Sequence, residues 1–179
     1  MPDDSLLLTA LRAIQARGAI GEASLEQAIV HAEQFVAALP VGVSTLVDLG
    51  SGGGLPGLVI AVRRPDIHVT LVERRLSRAD LLSRAVRSLD LGGHVTVVAG
   101  DVRSVGEASP RSFDAVTARS FAAPSITARW SGILLRSGGR LVVSEPPTDD
   151  DERWPTDLLA ASNLLDQGRE QGVRVFLRG

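Results

Sequence analysis

Apolar residues return every three or four positions at the start of the chain, and farther on this helical rhythm alternates with short, nearly continuous apolar runs. Leu7, Ala10, Leu11 and Ile14 predict an amphipathic helix opening after Asp4 or Ser5 and stopped by Gly18. A second helix is predicted from Ser24, with Gln27 as capping-box partner and Leu25, Ala28, Ile29, Ala32, Val36 and Leu39 on its apolar face. After a linker at 40–44, strands are expected at 45–50, 68–73, 94–99, 113–118 and 140–144. Between them stand helices at 56–64, ended by Pro65, at 77–91, capped by Ser77 and closed by Gly92, and around 125–135. In the last of these, Ile126, Trp130, Ile133 and Leu134 carry the pattern, and Ser137-Gly138-Gly139 turns into the fifth strand. A short helix near 155–162 and two strands within 163–176, turning at 168–172, complete the reading. Strands alternating with helices predict a doubly wound α/β sheet, mostly parallel, finished by an antiparallel hairpin.

At 179 residues the chain suits one domain, with helices in 1–40 capping a core at 45–179. Its 44% hydrophobic content is globular, and no apolar run reaches the roughly 18 residues that span a bilayer. Leu6, Leu7 and Leu8 follow two aspartates rather than a basic stretch, which argues against a signal peptide and for a cytoplasmic protein with no membrane partner. Cysteine is absent, excluding disulfides and thiolate chemistry, and His31, His68 and His94 lack metal spacing, so no metal is expected. Nothing fixes the oligomeric state, and a monomer is favoured.

The net charge of −2 speaks against non-specific coating of nucleic acid, but its distribution is uneven. All 19 basic residues are arginine, and seven of them (63, 64, 74, 75, 78, 84, 87) crowd one stretch. The segment 145–152 is purely acidic, with Glu145, Asp149, Asp150, Asp151 and Glu152. The arginine stretch either forms solvated helix faces or offers a basic edge to RNA.

Residues 45–57 carry the clearest chemistry: an apolar strand with Asp48 near its end, then Gly50, Ser51, Gly52, Gly53 and Gly54, then Leu55-Pro56-Gly57. Glycines permit positive φ and close backbone approach to a ligand, and the helix start beyond offers free N–H groups. Gly52, Gly54 and Gly57 match a dinucleotide pattern but sit two residues too far along. The register from Gly50, with Asp48 on the strand, instead resembles the first motif of class I S-adenosylmethionine-dependent methyltransferases, which have a Rossmann-like sheet. That resemblance implies S-adenosylmethionine as cofactor, with Gly50, Ser51, Gly52 and Gly54 around its methionine moiety. Glu73, ending the second strand, would then accept from the ribose diol, and Asp101, Val102 and Arg103 would border the adenine.

A narrower resemblance rests on Val-Asp-Leu-Gly-Ser-Gly-Gly-Gly-Leu-Pro-Gly-Leu at 47–58, Arg-Pro at 64–65, Phe-Asp-Ala-Val-Thr-Ala-Arg-Ser-Phe-Ala at 113–122 and Leu-Leu-Arg-Ser-Gly-Gly-Arg-Leu at 134–141. These runs resemble the glucose-inhibited division protein B family over roughly residues 28–145. The resemblance implies methyl transfer to guanine N7 of small-subunit (16S) ribosomal RNA, with ribosomal RNA or the small subunit as partner. It puts Gly50, Leu55, Val102, Arg103 and Arg119 at cofactor contacts, makes Arg119 the candidate catalytic residue, and matches His31 to an upstream histidine. The chain departs from the family at Ser77, where a lysine is expected before Arg78, and at Ser144-Glu145-Pro146, where the family carries a lysine. Two other readings stay open: a methyltransferase of this fold acting on a small molecule, to which Glu145 would point, and a non-catalytic cofactor-binding module.

Overall fold

The structure is a computed structural model that describes residues 4–146, 153–170 and 172–179. Five strands run parallel: β1 (Thr45–Leu49), β2 (His68–Glu73), β3 (Val95–Ala99), β4 (Phe113–Ala118) and β5 (Leu135–Ser144). Antiparallel to β5 lies β7 (Val173–Arg178), and β6 (Leu164–Glu170) pairs on its far side, giving the order β3-β2-β1-β4-β5-β7-β6. The helices are α1 (Asp4–Gln15), α2 (Leu25–Ala37), α3 (Gly57–Arg63), α4 (Leu76–Ser88), α5 (Val102–Ala108), α6 (Pro124–Leu134) and α7 (Thr156–Ala161). No helix among the described residues is long and apolar enough to cross a membrane.

Alternation along β1 divides the interior. Leu46 joins the core formed with α1 to α4, whereas Val47 and Leu49 join the opposite core with residues of α5, α6 and α7. The N-terminal helices are part of the first core: Leu7, Leu11, Ala32 and Phe35 are fully buried. Ser24 caps α2 by accepting from the Gln27 N–H at 3.3 Å. Phe35, which the apolar pattern had not assigned inward, is buried, while Ile29 and Val36 sit at the rim of the core.

Several elements depart from the sequence reading for identifiable reasons. Ser77 lies inside α4, whose N-cap is Arg75 with no side-chain cap, and Asp90 rather than Gly92 takes the left-handed conformation past its end, at φ 54°. The inward face of α4 is Ala79, Leu82, Ala85 and Val86. Helix α5 was not foreseen, because its seven residues are too few to show periodicity; Asp101 opens it by accepting from the Arg103 N–H at 2.9 Å. In α6 the buried positions are Thr127, Ala128, Ser131 and Leu134, which leaves Ile126 exposed and Trp130 at the rim. Small residues there admit close packing: a Cβ on Gly132 would lie 2.5 Å from the Ser162 carbonyl oxygen. Strand β5 begins already at Leu135 and absorbs Gly138 and Gly139 through a register shift against β4. The terminal hairpin is longer than expected, with Gly168 inside β6 and not in the turn. Of the acidic run, Asp149–Glu152 lie outside the described residues.

At the opposite end of the sheet from the glycine loop, Asp114 ties the start of β1 to β4. One carboxylate oxygen accepts from the Ser44 N–H (2.7 Å), the Ser44 hydroxyl (2.8 Å) and the Thr45 N–H (3.0 Å), and the other pairs with Arg136 at 2.6 Å. Burial pushes its pKa up, but the donors of Ser44 and Thr45 and the Arg136 charge outweigh that and hold it below the usual carboxylate range. Asp114→Ala is expected to lower stability by about 2–3 kcal/mol, since several charge-assisted bonds vanish. Arg136→Ala, at an exposed guanidinium, should cost under about 1 kcal/mol. Urea unfolding midpoints of the two variants check the order.

Candidate functional site

Parallel strands deliver their carboxyl ends to one edge, and a cavity of about 550 Å³ opens there. Gly50 and Glu73 line it at the ends of β1 and β2, Gly100 to Arg103 beyond β3, and Ser120 to Ala122 beyond β4. Arg74, Arg75 and Arg78 from the start of α4, and Ile126, Arg129 and Trp130 from α6, form its rim.

The glycine loop is fixed by backbone hydrogen bonding. The Ser51 N–H donates to the Val72 carbonyl at 2.9 Å, the Ser51 hydroxyl to the Asp48 carbonyl at 3.0 Å, and the Gly54 N–H to the Ser51 carbonyl at 2.7 Å. Glu73 holds the loop from the side: its two carboxylate oxygens accept from the N–H groups of Gly52 (3.0 Å) and Arg75 (2.8 Å). The carboxylate is buried, and neither Arg74 nor Arg75 forms an ion pair with it. Gly50 and Gly52 both have positive φ, 64° and 54°. A Cβ on Gly50 would strike the Phe121 ring, whereas one on Gly52 would fit without a clash, 3.6 Å from the Gly50 carbonyl oxygen and 3.9 Å from the Arg78 guanidinium.

The remaining sequence-selected residues lie behind this surface. Gly54 and Leu55 are buried; a Cβ on Gly54 would collide with Leu58. Ser51 is buried within the loop. Asp48 is enclosed entirely: one oxygen accepts from the Thr117 hydroxyl at 2.7 Å, and the other has no hydrogen-bond partner among the described residues. Gly57 is required here because its Cβ would lie 2.7 Å from that second oxygen. Burial raises the Asp48 pKa from 3.8 to about 6, against the opposing pull of the Thr117 hydrogen bond and the Arg119 charge.

Arg119 does not line the main cavity. It is half-buried beyond Thr117, with no ion pair or hydrogen bond among the described residues, and burial lowers its pKa while Asp48 partly restores it. The same arginine acts on His31 in α2, whose pKa falls first through burial and then through the Arg119 charge. Asp48, Arg119 and His31 thus form an electrostatic group on the inner side of the glycine loop. Ser120, at φ 54°, turns the chain so that Phe121 faces the cavity. Sequence reasoning missed Phe121, Arg129 and Trp130; the Phe121-Ala122 run had been noted only as part of a resemblance, and Trp130 had been assigned to the core.

The basic stretch divides into two sets. Arg63 pairs with Glu33 and Asp4, Arg64 with Asp66, and Arg84 with Asp80. Arg74, Arg75 and Arg78 have no ion pair among the described residues and face the cavity. Glu145, buried, accepts from the Trp154 indole N–H at 3.0 Å and pairs with Arg153, away from the site. The described residues contain no group of three or more His, Cys, Asp or Glu placed to hold a metal ion.

The family model described as rRNA small subunit methyltransferase G matches residues 20–166. A protein named ribosomal RNA small subunit methyltransferase G from Salinispora tropica is 48% identical over 108 residues, covering 58% of this chain and 44% of that protein. The protein of the same name from Neisseria meningitidis is 42% identical over 98 residues, covering 55% of this chain and 45% of its own length. The chain therefore spans about half the length of the curated relatives it matches. Among solved structures, cofactor-bound Rv0187 from MTB aligns with a TM-score of 0.67 at 18% identity, over 98% of this chain and 90% of that one. Geranyl diphosphate methyltransferase in complex with SAM aligns at 0.62 and 20%, covering 78% and 66%. At these identities the structural likeness is one of fold.

The Asp48 environment predicts a pH signature. A carboxyl whose folded pKa exceeds its unfolded value binds more protons when folded, so its contribution to stability falls as pH rises through about 4 to 6. Asp48→Asn should remove that term, and the stability of wild type relative to this variant should rise by on the order of 3 kcal/mol between pH 7.5 and 4. Taking the difference between the two curves cancels the opposing titration of His31. Denaturant unfolding across this range measures it; a flat difference would show that Asp48 does not titrate there.

Proposed function

The chain belongs to the rRNA small subunit methyltransferase G family, GidB, and on that premise we propose that it is an S-adenosylmethionine-dependent methyltransferase acting on guanine N7 of small-subunit ribosomal RNA in the cytoplasm. The observation that carries this reading is the coincidence of the matched family segment with the loop from Asp48 to Gly57, gripped by Glu73 at the mouth of a cavity formed by strand ends.

The residues fit the cofactor. The cavity volume lies within the roughly 300–1,000 Å³ of small-molecule sites, and a Cβ on Gly52 would fit beside the loop without a clash. Gly50 and Gly52 would face its methionine moiety, with Ser51 holding the loop from behind, the remaining lone pairs of Glu73 would accept from a ribose diol, and Asp101, Val102 and Arg103 would bound its base. S-adenosylmethionine, when bound, supplies an electrophilic methyl group. Arg119 stands beside Asp48 on the inner side of the loop, which favours pairing with the cofactor carboxylate over the guanine edge.

Guanine N7 carries an in-plane lone pair and no proton, so the chain has to align the base and does not have to deprotonate it. The cavity fits that requirement: its lining offers aromatic and guanidinium surfaces, and its only carboxylates, Glu73 and Asp101, are engaged with backbone N–H groups. Glu145, the residue on which a small-molecule reading leaned, is committed to Trp154 and Arg153.

Transfer of labelled methyl from S-adenosylmethionine to 30S subunits, naked small-subunit RNA and a small-molecule panel tests the reading. Label on guanine N7 of ribosomal RNA is the expected result, and transfer confined to small molecules would overturn it. Gly52→Val should abolish calorimetric binding of S-adenosylmethionine, because a β-branched side chain enters the space beside the loop, and should lower the melting temperature by several degrees through strain at a positive φ while leaving the chain folded. Arg119→Ala should slow methyl transfer at least tenfold, about 1.4 kcal/mol, the loss expected of one charged hydrogen bond. An unchanged rate with a lowered melting temperature would make Arg119 structural.

A further inference from the structure

Arginines with and without acidic partners are sorted in space. Along α3 and α4, Arg63 is neutralised by Glu33 and Asp4, Arg64 by Asp66 and Arg84 by Asp80, while Arg87, in the last turn of α4, has no ion pair among the described residues. On the far flank of the sheet Arg140 pairs with Glu170 and Arg174 with Asp166. By contrast Arg74, Arg75, Arg78, Arg103 and Arg129, all around the main cavity, have no ion pair among the described residues, although the chain as a whole is net negative at −2. A second cavity of about 640 Å³ lies behind α6, between that helix, α7 and the start of β6. Arg129 lines both cavities.

The second cavity shares α6 and Arg129 with the main one but none of the glycine loop or the β1–β3 strand ends. Arg111, Arg129 and Arg178 line it, and no carboxylate among the described residues does. Arg178 is held in place by main-chain carbonyls, donating to Gly132 at 3.1 Å and Asn163 at 3.4 Å. Arg111 stands exposed on a turn with φ 54° and forms no ion pair among the described residues. The Arg129 guanidinium lies 5.6 Å from the centre of the Trp130 ring, which steadies it between the two cavities. Ser125, Ser162 and Asn163 add polar side chains to the same wall.

We propose that this second cavity is a docking subsite for the phosphate backbone of RNA flanking the modified base, and that the RNA path crosses α6 by way of Arg129. The inference rests on the methyltransferase reading for the identity of the polymer and adds to it the route that the polymer takes. Guanidinium groups without acidic partners beside hydroxyl and amide donors match phosphate oxygens, and phosphate contacts are what position a nucleic acid. The two cavities lie on either side of one helix, roughly 10 Å across, a span that a few nucleotides of extended RNA cover.

Fluorescence anisotropy with transcribed small-subunit RNA, and separately with a labelled poly-glutamate peptide, tests the proposal on the whole chain. Arg111→Gln should weaken RNA binding three- to tenfold and flatten the slope of log affinity against log salt by up to about 0.7–0.9 for the lost contact. Arg111→Gln with Arg129→Gln should weaken it further. Arg17→Gln and Arg87→Gln, which remove unpaired arginines outside both cavities, should stay within twofold of the parent. Calorimetric binding of S-adenosylmethionine should be unchanged in Arg111→Gln, which confirms that the variant is folded. RNA affinity unaltered by Arg111→Gln, equal losses in the Arg17 and Arg87 variants, poly-glutamate bound as tightly as RNA, or no RNA binding by the parent would each overturn the subsite. A parent that binds RNA through Arg111 yet methylates none would instead overturn the functional reading and leave the subsite standing.

Discussion

One enclosed carboxylate organises the end of the sheet. Asp48 sits on β1 between its two parallel neighbours, takes the Thr117 hydroxyl from β4, and leaves so little room beyond its second oxygen that α3 has to start on a residue without a Cβ. A buried carboxylate is costly when charged, and here the Thr117 hydroxyl, the nearby Ser51 hydroxyl and Gly57 N–H dipoles and the Arg119 charge offset only part of that cost. The result is a site in which the strand end, the glycine loop, the helix start and the arginine past β4 are mutually dependent. Changing any one alters the room or the charge available to the others.

Electrostatics outside that group follow from partner choice more than from net charge. A chain whose basic residues are all arginine, and which has more acids than bases, sets carboxylates such as Glu33, Asp66 and Asp80 against arginines away from the site and leaves the arginines at the carboxyl edge of the sheet without ion pairs among the described residues. Low total charge suppresses indiscriminate binding of polyanions, while local concentration of unpaired guanidinium groups keeps the field directed at one opening. The two Glu73 hydrogen bonds belong to the same economy: they occupy an acid that would otherwise cancel neighbouring arginines.

Much of this architecture was legible in the sequence, for reasons particular to each element. Strands β2 and β4 showed their limits because β-branched runs end in charged residues, and the α1 face, Leu7, Ala10, Leu11 and Ile14, was readable because twelve residues give three turns of periodicity. Helix α5 was too short for that, and the α6 face was misread because its contact surface uses Thr127, Ala128 and Ser131, residues that a hydrophobicity pattern does not mark. The glycine loop and Glu73 stood out through local spacing. The contributions of Phe121, Arg129, Trp130 and Arg111 did not, since their proximity depends on how α6 packs back against α5, α7 and the strand β4 that precedes it, a relation of tertiary structure. The arginine stretch looked like one surface; Asp4 and Glu33, brought in from α1 and α2, take Arg63, and Asp66 and Asp80 within the stretch take Arg64 and Arg84.

The position of β7 has a consequence for how the chain is made. It is not the outermost strand: it lies between β5 and β6, and it is the last strand in sequence. As the polypeptide is synthesised, the apolar Leu141-Val142-Val143 segment of β5 therefore presents an open pairing edge until Val173, Val175 and Phe176 have emerged to cover it. During that interval the open edge lies only two strands, about 10 Å, from the glycine loop, because Val143 aligns with Ala118 and Ala118 with Leu49, so mispairing of β5 would strike beside the loop itself.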